Sequence, residues 1–118
     1  MEELKILQKI YDMIQYAEDN CLKQFPNYQR FVLAAKIREY QLQLLELCVT
    51  ANKRYYKKTT QQDIDVTLSV LRTMVRLAKD LNYLPFKKYE NWSKMLAEIG
   101  KMLGGWMKST NGNTAKEG

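Results

Sequence analysis

The sequence predicts an all-α fold, an antiparallel up-and-down four-helix bundle, from three observations. Apolar residues recur with a 3.6-residue period in four long segments, and no stretch alternates as a half-buried strand does. Only 5 Gly and 2 Pro occur in 118 residues, too few for the turns of an all-β chain. The connections between the periodic segments are short, which makes successive helices antiparallel neighbours.

The first segment carries Leu4, Leu7, Ile10, Tyr11, Ile14, Ala17 and Cys21 and ends near Phe25-Pro26-Asn27. Pro26 lacks an N–H and its ring blocks a continuing helix. The second carries Phe31, Ala34, Ala35, Ile37, Leu42, Leu45, Cys48 and Val49 and fades near Tyr56. The third opens at Thr59-Thr60, where a hydroxyl can cap free N–H groups, and Asp63 suits the positive end of the helix. Its apolar positions are Ile64, Leu68, Leu71, Met74, Val75, Ala78 and Leu81. The fourth begins near Pro85, a residue favoured in a first turn, and carries Tyr89, Trp92, Met95, Leu96, Ile99, Met102, Leu103 and Trp106. Helices of this size span about 30 Å or more at 1.5 Å per residue, so their apolar stripes can meet along their length. Residues 1–108 therefore form one bundle. Residues 109–118, rich in Gly, Asn, Thr and Lys, are expected to be a disordered tail.

The composition excludes several function classes. The chain has no His, which removes the commonest general base and metal ligand. Two Cys are too few for a zinc site or a disulfide framework, and their helical apolar surroundings suit buried thiols of a reducing compartment. No metal or cofactor site is expected. There is no Gly-rich phosphate loop and no catalytic triad, and Asp63 and Asp65 suit helix capping better than two-metal chemistry, so no enzyme is expected. No stretch reaches the roughly 18 apolar residues of a membrane span, and no signal peptide is evident, which places the chain in the cytoplasm. Lys plus Arg is 19 against 13 Asp plus Glu, a net of +6. Residues 1–30 hold four bases and five acids, and residues 31–118 hold fifteen and eight, so the basic excess lies in the later part. Such a balance favours a polyanionic partner, nucleic acid above all.

Helical phase gathers the bases into strips. On the third helix Arg72, Arg76 and Lys79 fall together about 80–140° from Leu71, at the edge of the core stripe. Their helical neighbours supply one acid, Asp80, which leaves either a phosphate or an acid of another helix, such as Glu39 or Glu46, to neutralise them. On the fourth helix Lys87, Lys94, Lys101 and Lys108 recur every seven residues, with Glu90 and Glu98 between them, as a contact surface or a solvated salt-bridge face. Lys53, Arg54, Lys57 and Lys58 surround Tyr55 and Tyr56 at the end of the second helix. Cations suit a helix C-terminus, and aromatics among bases suit single-stranded nucleic acid. Arg38 falls inside the apolar stripe of the second helix, where it must be ion-paired or face a subunit interface. Ser93, Ala97, Gly100 and Gly104 form a small-residue line on the fourth helix, a seam for a close-packed helix of the same bundle or of a second subunit.

Two segments carry a family resemblance. Leu71-Arg72-Thr73-Met74-Val75-Arg76-Leu77-Ala78-Lys79-Asp80-Leu81 is similar to the third-helix pattern of the accessory variability determinant (Avd) proteins of diversity-generating retroelements. Glu98-Ile99-Gly100-Lys101-Met102-Leu103-Gly104-Gly105-Trp106 resembles their fourth-helix signature, and the likeness covers about residues 4–108. The resemblance implies a barrel-like homopentamer that binds RNA and DNA, associates with a retroelement reverse transcriptase and supports mutagenic copying of template-repeat RNA. Arg72 and Arg76 match the helix-three arginines of that pattern. The superfamily also contains the four-helix proteins encoded in ribosomal RNA intervening sequences, and a purely structural self-assembling bundle is the reading from another class.

Overall fold

The computed structural model describes residues 5–112 with their side chains. Four helices follow one another: α1 (Glu2–Tyr16), α2 (Leu33–Lys53), α3 (Lys58–Asp80) and α4 (Phe86–Glu117), with no strand among the described residues. Contacts between helices fix their directions. Lys9 of α1 reaches Glu98 at 3.0 Å while the Trp92 indole N–H points at Met13 Sδ at 3.4 Å, so α1 and α4 run antiparallel. Gln61 of α3 meets Thr110 of α4, and Leu68 and Arg72 lie against Gly100, so α3 and α4 are antiparallel as well.

One core fills the bundle. α3 contributes Ile64, Leu68, Leu71, Val75 and Ala78, and α4 contributes Trp92, Leu96, Ile99, Leu103 and Trp106. Both stripes follow the predicted phase except Leu81, which is exposed. In α1 the core positions are Ile6, Ile10, Met13, Ala17 and Cys21, whereas Tyr11 is exposed, Leu7 and Ile14 are half-buried, and the side chain of Leu4 lies outside the described residues. The largest departure is α2. Its buried stripe is Ala34, Ile37, Gln41, Leu44, Cys48 and Ala51, while Phe31, Leu42 and Val49 are 85%, 58% and 44% exposed. The core face is rotated away from the most apolar face, so Arg38 lies at the edge of the core stripe rather than inside it.

The α1–α2 connection is more structured than a simple stop at Pro26. After Tyr16 the helix widens by one residue over Ala17–Cys21, where the Leu22 N–H bonds back to Ala17 O. An inserted residue delays the helical phase by about 100° and allows the adjacent Cys21 and Leu22 both to be buried. α3 starts one residue before the predicted Thr59-Thr60 and no hydroxyl caps it. It ends as a Schellman turn: Asn82 takes φ 61°, its N–H bonds Lys79 O at 2.9 Å, and the Tyr83 N–H bonds Ala78 O at 2.9 Å. Asn is the non-Gly residue that best tolerates this left-handed position.

The expected tail begins as helix. Residues 109–112 continue α4, and Thr110 Oγ1 accepts 2.9 Å from Nε2 of the buried Gln61, which ties this turn to the start of α3. The backbone stays helical to Glu117, and Gly118 lies outside the described residues.

Candidate nucleic-acid interface

The candidate site lies along the contact between α3 and α4. Arg72 and Arg76 are one turn apart on α3, and both line a cleft of about 170 Å³ with Thr73, Val75, Tyr89, Ser93 and Leu96. Neither arginine has an acidic partner among the described residues. Glu39, one proposed neutraliser, is held by Lys36 at 3.3 Å, and Glu46 forms no ion pair among the described residues. Lys79 continues the strip. Its ammonium contacts Asp80 Oδ1 at 3.0 Å and sits 5.1 Å from the centre of the Tyr89 ring. Asp65, seven residues before Arg72 on the same face, closes the strip at its other end.

The lysine row of α4 lies on the outer face of that helix, opposite its core stripe, and none of its members lines the cleft. Of the interleaved acids one pairs within the row, Glu90 with Lys87 at 3.2 Å, whereas Glu98 turns to Lys9 of α1. Lys94, Lys101 and Lys108 are exposed and have no acidic partner among the described residues. At about 100° per residue, the line Ser93, Ala97, Gly100, Gly104 runs between this row and the α4 core stripe, facing the arginine side of α3.

That placement changes the meaning of the small residues. A Cβ on Gly100 would meet Arg72 Nη1 and Leu68 Cδ2 at 3.6 Å, an ordinary contact, and a Cβ on Gly104 would meet nothing within 4 Å. At Gly100 and Gly104 nothing packs too closely for a side chain, so the seam within the subunit is not what the fold uses, which leaves the seam with a second subunit as the proposal for this line. Ser93 and Gly100 border the cleft on the side of Arg72. Ser93 belongs to the cleft, while Ala97 and Gly104 are exposed.

The remaining candidates separate. Lys57 does not join a basic patch: its ammonium donates to Ala51 O at 2.8 Å, Asn52 O at 3.3 Å and Arg54 O at 2.8 Å, capping the last carbonyls of α2. Lys53, Arg54 and Lys58 are exposed without acidic partners among the described residues. Beside them Tyr55 and Tyr56 are exposed and meet edge to face, with ring centroids 4.9 Å apart. Arg38 Nε donates to Glu18 Oε1 at 2.7 Å, so the structural ion pair is what the fold realises. Phase analysis missed Tyr89 as a site residue because it counted toward the core. Its position one turn before Ser93, on the small-residue line, was the available signal.

No cluster of metal-binding side chains exists among the described residues. Burial pushes the Cys21 thiol up to about 12, against a smaller opposing effect of Lys88, and burial likewise raises Cys48 to about 11. No helix among the described residues is long and apolar enough to cross a membrane. A family profile described as bAvd-like matches residues 4–110, which include every side chain of the groove. The chain belongs to the bAvd-like family. No curated protein matches it. As a bAvd-like protein it is a small helical accessory protein, and its two family segments, 71–81 and 98–106, supply the arginines of the cleft and Gly100 at its border.

Proposed function

We propose that this bAvd-like chain is a non-enzymatic accessory protein that binds RNA and DNA along the α3–α4 groove. In this reading it serves a diversity-generating retroelement in a bacterial cell or phage-infected host, where it associates with the reverse transcriptase and supports mutagenic retrohoming of template-repeat RNA. Family membership supports the retroelement assignment over the ribosomal intervening-sequence branch. The observation that carries nucleic-acid binding is the pair Arg72 and Arg76, two exposed guanidiniums on one cleft with no acidic partner among the described residues.

Phosphates spaced along a strand fit such a groove, and contacts of this kind fix position without reading sequence. Tyr89 and Ser93 add hydroxyl donors at its floor. Self-association, with a pentamer as the expected form, would repeat the groove around an axis and strengthen binding through multivalency. Exposed Leu42, Val49, Val66, Val70 and Leu77 support it, because assembly would cover them. The test is binding of unrelated DNA and RNA sequences by Arg72→Ala/Arg76→Ala. Affinity should fall about equally for all sequences. Unchanged affinity in a variant that folds normally by circular dichroism would refute the reading.

A further inference from the structure

A second cleft lies at the other side of the bundle, at the α1–α2 connection. It encloses about 260 Å³ and is lined by Leu22, Lys23, Phe25, Pro26, Asn27, Arg30, Ala34 and Arg38. It shares no lining residue with the α3–α4 groove. Three of its lining residues are cationic and none is acidic. Glu18 offsets one of them through Arg38 Nε, while the other nitrogens of that guanidinium make no hydrogen bond among the described residues. Lys23 has no acidic partner among the described residues, and Arg30 lies against the exposed Phe31 ring at 5.7 Å, a loose contact that leaves its donors available. Two positive charges therefore remain uncompensated around one small cavity.

Chemistry narrows the occupant. A phosphodiester carries one negative charge, whereas a phosphomonoester carries about −1.5 to −2 near neutral pH and matches the two spare cations. The volume exceeds what a bare phosphate fills, and the apolar part of the wall, Leu22, Phe25, Pro26 and Ala34, offers a surface to a base or sugar. The first-turn N–H groups of Ala34 and Ala35 have no acceptor among the described residues, which adds positive potential on the same side.

We propose that this cleft binds the terminal phosphomonoester of a nucleotide, with Lys23, Arg30 and the free face of Arg38 holding the phosphate and the Leu22–Phe25–Ala34 wall holding the nucleoside. The ligand can be a free mononucleotide or the phosphorylated end of a strand, since both present the same group. The proposal does not require the α3–α4 groove to bind nucleic acid.

Calorimetric titration of the full chain with adenosine 5′-monophosphate, adenosine and inorganic phosphate tests it. The monophosphate should bind more tightly than either fragment. Lys23→Gln/Arg30→Gln should cut its advantage over adenosine by about tenfold or more, the scale of one lost charge-assisted contact. Lys36→Gln, at a lysine that lines neither cleft, should leave that advantage intact. A parallel titration with 5′-phosphorylated and 5′-hydroxyl oligonucleotides identifies the source: a preference for the phosphorylated strand assigns a strand end, and equal binding assigns the free nucleotide. Monophosphate binding no tighter than adenosine, or an advantage that survives in a normally folded Lys23→Gln/Arg30→Gln variant, overturns the proposal.

Discussion

Gln41 should be replaceable by an apolar residue with a gain in stability. It lies in the middle of the buried stripe of α2, is 0% exposed, and neither its amide nitrogen nor its oxygen has a hydrogen-bond partner among the described residues. An uncompensated buried amide costs about 1–3 kcal/mol on protein mutational scales. Gln41→Met keeps an unbranched side chain of similar length, and Met and Gln have nearly equal helix propensity, so neither packing nor backbone preference opposes the exchange. The variant should therefore be more stable by about 1–3 kcal/mol, which is about 4 °C in Tm per kcal/mol for a chain of this size. Urea unfolding followed by far-ultraviolet circular dichroism measures this, with a raised midpoint and an unchanged slope. A variant less stable than the wild type would refute the reasoning, because it would mean that the amide is satisfied in solution by an internal water or a rearranged neighbour.

The opposite sign applies to the satisfied buried amide. Thr110→Val removes the acceptor of Gln61 Nε2 and should destabilise the chain by about 1–3 kcal/mol in the same assay; no change would show that the α4 extension is not anchored there. The two thiols, raised to about 12 and about 11, should resist a disulfide reagent in the native protein at pH 8 and react only on unfolding. Because these thiols stay protonated in the folded chain while unfolded ones ionise near 9, stability should fall as pH rises above 9, by up to about 1.4 kcal/mol per pH unit per thiol. A Cys21→Ala/Cys48→Ala variant should lose that part of the slope, and an identical slope would contradict it.

The sequence made α3 and α4 legible because their apolar residues recur at strict three- and four-residue steps with few competitors on other faces. α2 misled for a physical reason. Phe31, Leu42 and Val49 outweigh the true core face, which contains the polar Gln41 and small Ala34 and Ala51, so the apolar pattern points about a quarter-turn away from the core. In α1, Tyr11 and Leu7 compete with Ile6 and Met13 in the same way. Of the candidate site, the arginine strip was readable from phase alone. Its meeting with Tyr89 and Ser93 in one cleft was not, since the register of α3 against α4 is fixed by contacts such as Gly100 with Leu68 and Gln61 with Thr110. Nor could charge counting distinguish Lys57, which closes α2, from Lys58 beside it, which stays exposed. That distinction depends on where the loop carries each ammonium.

The salt dependence of DNA binding tests most directly whether Arg72 and Arg76 hold phosphates at the α3–α4 cleft. For duplex DNA, log affinity falls with log salt by about 0.9 for each phosphate neutralised. Arg72→Ala/Arg76→Ala should lower that slope by up to about 1.8, because the pair removes two phosphate contacts. A slope equal to the wild type in the folded variant, or no detectable binding by the wild type at about 50 mM salt, would contradict the account.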